Sequence, residues 1–217
     1  NDTKLFEETN LEKYPETEKI NKRKLLINYY KKYEITSLIL FFFIFSFIGW
    51  VWEVSLYLFR DGILVNRGTL HGPWLPIYGW GCTIIIILTR FRRFRKILKN
   101  PTITFGAIVV LCSIIEYITS WVIEMATGLK YWDYTGIFLN INGRICFECS
   151  MFFGVGGALC VYIVAPYLER KIQKLTQKFK ITLCTLLISL IMLDTVYSLK
   201  NPNTGEGITE VVAKENS

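Results

Sequence analysis

The stretch ITSLILFFFIFSFIGWVWEVSLYLF, Ile35–Phe59, holds one acid, Glu53, and no base. A helix rises about 1.5 Å per residue, so a run of this length covers a bilayer core of roughly 30 Å. Working outward, four more apolar blocks follow at about Leu75–Thr89, Ile103–Thr127, Ile145–Leu168 and Ile181–Leu199. The second is the shortest, so its outer end is expected to begin inside the Gly/Pro-rich loop before it. The composition agrees: 52% of the 217 residues are hydrophobic and the mean hydropathy is +0.33, too apolar for an ordinary soluble domain. A membrane barrel would show short alternating segments, and the blocks do not alternate. The expected fold is therefore all-α, a polytopic membrane protein of about five transmembrane helices. Three regions follow: a cytoplasmic polar and basic arm (1–34), a helical membrane domain (35–199) and a short flexible tail (200–217).

The net charge of +7 could be taken for nucleic-acid binding, but the placement of the charge argues against it. Nineteen of the 25 Lys and Arg lie before the first block, between the second and third, and between the fourth and fifth. The other six fall in the remaining connections and the tail. Cytoplasmic loops collect Lys and Arg, so the expected topology is N-terminus inside and C-terminus outside. The expected partner is the lipid bilayer, with the basic clusters against anionic headgroups, and no nucleic acid. Residues 1–34 have no short apolar core with a small-residue cleavage site, so the first apolar helix is expected to act as the insertion signal.

Five acids lie in or at the ends of the blocks: Glu53, Glu116, Glu124, Glu148 and Asp194. A carboxylate in hydrocarbon is costly unless it is paired, protonated or wet. With the N-terminus inside, all five fall in the outer half of the membrane. The two outer loops supply Asn66, Arg67 and His71, and Asp133, Asn140, Asn142 and Arg144. The expectation is an outward-facing polar pocket built from Glu53, Asn66, Arg67, His71, Glu116, Asp133, Asn140, Asn142, Arg144 and Glu148. Arg67 and Arg144 are the expected ion-pair partners, because guanidinium stays charged and binds carboxylate at two points. A Glu–Arg pair can equally serve only to lock helices together, and a single His is more often a hydrogen-bonded loop residue than a catalyst.

The segment RGTLHGPWLPIYGWG, Arg67–Gly81, is expected to be re-entrant or interfacial, since irregular backbone survives at membrane depth only where protein or water covers it. Trp74, Tyr78 and Trp80 are expected at headgroup level. Ser150, Gly154 and Ala158 recur at four-residue spacing, the pattern of a helix-packing face. Cys146 and Cys149 form a C-x-x-C, read here as buried thiols, with a redox pair as the alternative. One His with one such pair is too few ligands for a zinc site, so no metal, no cofactor and no catalytic residue is assigned.

Four ordered motifs, GWVWE (Gly49–Glu53), NRGTLHGPWLPIYGWG (Asn66–Gly81), IEY (Ile115–Tyr117) and YWDYTGIFLNINGRIC (Tyr131–Cys146), carry a resemblance to a family of small bacterial membrane proteins of the CmpB type. The resemblance covers about Phe47–Leu168. The family is labelled as ABC-transporter permeases, which implies a permease-type integral membrane subunit in the bacterial plasma membrane. This chain carries no G-x-x-x-x-G-K-[ST] phosphate loop, so such a transporter would need a separate ATP-binding subunit. Five spans would form half of a translocation unit, completed by a second copy as a homodimer or by another subunit. Two alternatives stand beside this. In one, the chain is an intramembrane enzyme on a lipid-linked substrate at the outer leaflet, with a buried glutamate and His71 as acid and base and Arg67 and Arg144 on a phosphate. In the other it is a non-catalytic sensor. The lack of a known catalytic motif leans against an enzyme.

Overall fold

A computed structural model describes residues 33–89, 91, 94, 97 and 100–209. The apolar blocks become helices α1 (Ile35–Asp61), α2 (Pro76–Leu88), α3 (Pro101–Thr127), α4 (Phe147–Ile172) and α5 (Gln177–Lys200). Among the described residues there is no strand, and Ile141 and Ile145 form an isolated bridge. The all-α expectation holds. Four of the five helices, α1, α3, α4 and α5, are long and apolar enough to cross a membrane. The exception is α2: its 13 residues cover about 20 Å at 1.5 Å each, short of the hydrocarbon core.

Local chemistry sets the ends. Helices α1 and α3 close on Gly62 and Gly128, both with φ 69°, whose amides reach back to Leu58 and Glu124; a left-handed closing residue favours glycine. The Asn100 side chain accepts from the amides of Thr102 and Ile103, with Pro101 in the first turn of α3, satisfying donors that the helix cannot. A π-helical turn, Cys160–Val164, interrupts α4 just before Pro166. Proline has no amide to donate and its ring crowds the preceding turn, and the wider turn absorbs both effects.

Helix α2 runs antiparallel to α1, close enough that a Cβ on Gly79 would strike Ser46 and Phe42, and one on Gly49 would strike the Tyr78 ring. Ile86 packs into a core with Tyr33, Phe41 and Phe45. Helices α3 and α4 meet across Gly154, which faces Phe105 and Val109, and Gly157, which faces Ile108 and Ile85. A hydrogen bond joins Ser113 to Ser150 (2.8 Å), and another joins Tyr162 to Thr104 (2.8 Å). The small-residue face of α4 thus runs through Ser150, Gly154 and Gly157, with the larger Ala158 only partly buried. The expected face of Ser150, Gly154 and Ala158 also takes in Gly157, with Ala158 packed against the cluster of Ile85, Ile108 and Val161.

Helix α5 packs against α1 and buries little of itself. Near their starts Lys180 meets Glu34 at 2.6 Å. Near their ends both helices touch the loop between α1 and α2. So α1 and α5 run parallel. The loop joining α1 to α2 (63–75), the loop joining α3 to α4 (128–146) and the first part of the C-terminal tail gather at the opposite end of the bundle from Glu34. All the basic residues of the arm and of segment 90–99 lie outside the described residues.

Candidate functional site

The first loop does not stay at the helix ends. The amide of Leu75 donates to the carbonyl of Ser46 (2.9 Å), near the middle of α1, about 20 Å along the axis from the helix end. On its other side the loop is held by Asp194 of α5. That carboxylate accepts from the amides of His71 (3.1 Å) and Gly72 (2.9 Å), from Trp74 Nε1 (2.7 Å) and from the Ser198 hydroxyl (3.2 Å). The Leu75, His71 and Gly72 amides thus find their partners within the protein, while His71 and Pro73 stay exposed. Segment 67–75 turns inward along α1 as far as Ser46 before α2 begins.

Within this frame the charged residues pair. Arg67, only 7% exposed, sits 3.6 Å from Glu53 through Nε. Its other nitrogens donate to the carbonyls of Gly207, Ile208 (3.1 Å) and Tyr131 (3.2 Å), and its guanidinium lies 4.1 Å over the Tyr57 ring. Glu53 also accepts from the Tyr78 hydroxyl (2.7 Å). Trp50 Nε1 donates to Asn66 Oδ1 (2.5 Å), and Asn66 Nδ2 donates to the His71 carbonyl (2.6 Å). The tail, placed by sequence in a short flexible segment from residue 200, lies over this group through Asn203. The Asn203 side-chain amide donates to the carbonyls of Asn66 (2.9 Å) and Gly68 (2.8 Å), and its own carbonyl accepts from Tyr131 (3.1 Å).

Glu116 is buried at 3% exposure and accepts from the Tyr134 hydroxyl (3.1 Å), while its second oxygen has no hydrogen-bond donor. Glu53, Tyr78 and Cys149 lie within electrostatic range of this group. Burial first, and then the Glu116 carboxylate, push the Tyr134 hydroxyl well above its usual range, so it remains a donor. Tyr131 is raised in the same direction by burial.

Arg144 pairs with Glu124 at 2.7 Å, a charge contact whose angle does not make a hydrogen bond, and donates to Ser120 (3.2 Å). Three of the expected site residues instead hold the second loop together. Asp133 accepts from the Thr135 amide (2.9 Å) and hydroxyl (2.6 Å) and from Lys130 (3.3 Å). Burial disfavours its charge, but these donors together outweigh that and hold Asp133 below the usual carboxylate range. Asn140 bonds Ile137 and Gly143, and Asn142 bonds the Tyr117 hydroxyl (2.8 Å). Asn142 (φ 54°) and Gly143 (φ 66°) form a two-residue turn closed by the Arg144 amide on Ile141 (3.0 Å). Asn-Gly is the pair that such a turn favours, a signal that sequence reading could have used. Glu148 stands apart, exposed in the first turn of α4, where a negative charge suits the helix dipole.

Of the ten expected residues, Glu53, Asn66, Arg67 and Glu116 come together, and His71 joins through its backbone. Sequence reading left Tyr78, Tyr134 and Asn203 out of the site. Tyr78 was assigned to the headgroup level, whereas here its hydroxyl is inside, on Glu53. His71, Ser198 and Asp194 form a chain, but not one that activates a nucleophile. Ser198 lies between the other two, bonded to His71 Nδ1 (2.9 Å) and donating to Asp194, so the imidazole is not oriented by the acid as a general base would be. Among the described residues no group of His, Cys, Asp and Glu has the number and placement to hold a metal ion, and the six cysteines are free.

Four helices long and apolar enough to cross a membrane, packed around an internally paired loop, fit a multi-pass membrane protein. The family model described as "Putative ABC-transporter type IV" (ABC_trans_CmpB) matches residues 40–199, and the chain belongs to this family. No curated protein and no solved structure matches it at a significant level.

Proposed function

We propose that this protein is the permease-type membrane subunit of an ABC transporter in the bacterial plasma membrane, with its polar site facing outward. The observation that carries the reading is the insertion of loop 63–75 to the level of Ser46, beside the Glu53–Arg67 pair. A transport subunit needs a polar site reachable from one face and sealed from lipid, and irregular backbone at membrane depth supplies the polar groups for one. The orientation, N-terminus inside, rests on the distribution of Lys and Arg. The family supports an ATP-binding partner, docked on the end of the bundle that carries 169–180. Completion of the unit by a second copy is part of the same proposal.

The outer-leaflet enzyme reading has less support. Both arginines assigned to a phosphate are engaged, Arg67 by Glu53 and three carbonyls and Arg144 by Glu124 and Ser120. The test is affinity purification in mild detergent from the native host, with mass spectrometry of co-purifying proteins. A stoichiometric ATP-binding subunit is the expected result. A well-folded preparation without one, at native expression, rejects the permease reading.

A further inference from the structure

Two of the six free cysteines stand at the start of α4. Cys146 caps the helix, and its sulfur accepts from the Cys149 amide (3.4 Å). The two side chains are also in hydrogen-bond contact with each other. Sulfur is a weak acceptor, and Ser, Thr, Asp and Asn are the side chains that a helix cap favours. Capping alone is thus a poor account of a cysteine here, facing a second one across the first turn.

Burial is a poor account of the pair as well. Cys82 and Cys160 also touch, but in the apolar core with Phe41 and Ile86, where thiols pack as small hydrophobes. Cys146 and Cys149 lie at the loop end of the bundle. Cys149 is half-buried. Cys146, although 2% exposed, borders a cavity of about 670 Å³ between α3, α4 and the second loop, which Tyr117, Asn140 and Phe147 also line. That cavity leaves room for a small reagent beside the pair. A disulfide forms without backbone movement only between residues whose side chains already converge, and these two do.

We propose that Cys146 and Cys149 are a reversible dithiol–disulfide site whose co-reactant is a small-molecule disulfide. One thiolate of the pair attacks a sulfur of that disulfide, whose S–S bond breaks and whose leaving sulfur takes a proton. The neighbouring thiolate then attacks the mixed disulfide, forms the Cys146–Cys149 bond and releases the second small thiol. Two cysteine thiols are oxidised, one disulfide is reduced to two thiols, and both protons end on those. The Cys149 side chain also contacts Tyr134, whose hydroxyl serves Glu116, which places the pair next to the polar site. Oxidation in the cell rests on the outward orientation proposed above, since thiols stay reduced in the cytoplasm; the exchange chemistry of the pair does not.

The test equilibrates the full chain in lipid nanodiscs with mixtures of 2-hydroxyethyl disulfide and 2-mercaptoethanol, then denatures, alkylates and maps it by mass spectrometry. As the mixture becomes oxidising, a peptide carrying both cysteines should appear unalkylated and lighter by two hydrogens, and it should vanish when the mixture is reversed. Cys82 and Cys160 should stay open to alkylation throughout. Cys149→Ala, which keeps the cap, should lose the species completely, and Cys184→Ala should leave it unchanged. Alkylation of both cysteines in the most oxidising mixture, a mixed disulfide that does not close, or a bond mapped to Cys82 and Cys160 overturns the proposal. A pair that exchanges in nanodiscs but is reduced in intact cells would count against the outward orientation and leave the site standing.

Discussion

The Leu75 amide and the Ser46 carbonyl lie 2.9 Å apart, and this one bond fixes how deep the loop between α1 and α2 enters the bundle. The bond is possible because the residues beside it are small. Gly79 presses on Ser46 and the backbone of Phe42, and no larger residue fits there. Gly79→Val should cost about 3 kcal/mol, at the upper end for overpacking because backbone cannot yield. Thermal unfolding in detergent will read it, with Gly81→Ala as the control: nothing lies within 4 Å of a Cβ at Gly81, so that variant should unfold at or above the parent temperature.

Asp194 holds the same loop from α5. Asp194→Ala leaves the His71 and Gly72 amides and the Trp74 indole without their shared acceptor. At about 1–3 kcal/mol for losing such a partner, hydrogen exchange over 70–74 should speed up roughly 100-fold. Exchange around the Ile141–Ile145 bridge in the second loop should not change. Equal acceleration in both loops would show that α5 supports the whole end of the bundle and not this loop alone.

Arg67 and Glu53 are not equal partners. Glu53 has Arg67 and Tyr78, whereas Arg67 also ties down Gly207, Ile208 and Tyr131. Arg67→Ala should therefore destabilise more than Glu53→Ala, by about 2 kcal/mol. It should also open the tail around Gly207 to protease, which Glu53→Ala should not do. Limited proteolysis with mass mapping separates the two outcomes.

Asp133 gives the second loop a pH dependence. Its folded pKa lies below the unfolded one. Its contribution is thus present above the unfolded value, about 3.9, and is lost as pH falls through the folded value. Hydrogen exchange over 131–136 should quicken below about pH 4. Asp133→Asn should remove the transition, and persistence of the transition in that variant would assign it to another group.

Much of the fold was legible in the chain because lipid imposes a simple rule. Long apolar runs become helices, and their ends follow from Gly62, Gly128 and Asn100-Pro101. The pairing of arginines with buried acids was legible for a similar reason, since an isolated charge at membrane depth has few alternatives. The bounds of α2 were legible too, since the short block at about Leu75–Thr89 became Pro76–Leu88; the bond of the preceding loop to Ser46, in the middle of α1, was not.

The site divides along the same line. The chain itself determined which residues are charged or polar within the apolar blocks, and so that Glu53, Arg67 and Glu116 needed answers. Only the tertiary structure decided what those answers were. Tyr78 and Tyr134 are amphipathic and suit the headgroup level as well as an interior carboxylate. Asn203, far along the chain, reaches Asn66 and Gly68 only because α1 and α5 run parallel. Hydrophobicity sorts residues by depth, a property of each residue alone. Hydrogen-bond partnership depends on direction and distance between residues far apart in sequence, and those exist only once the helices have packed.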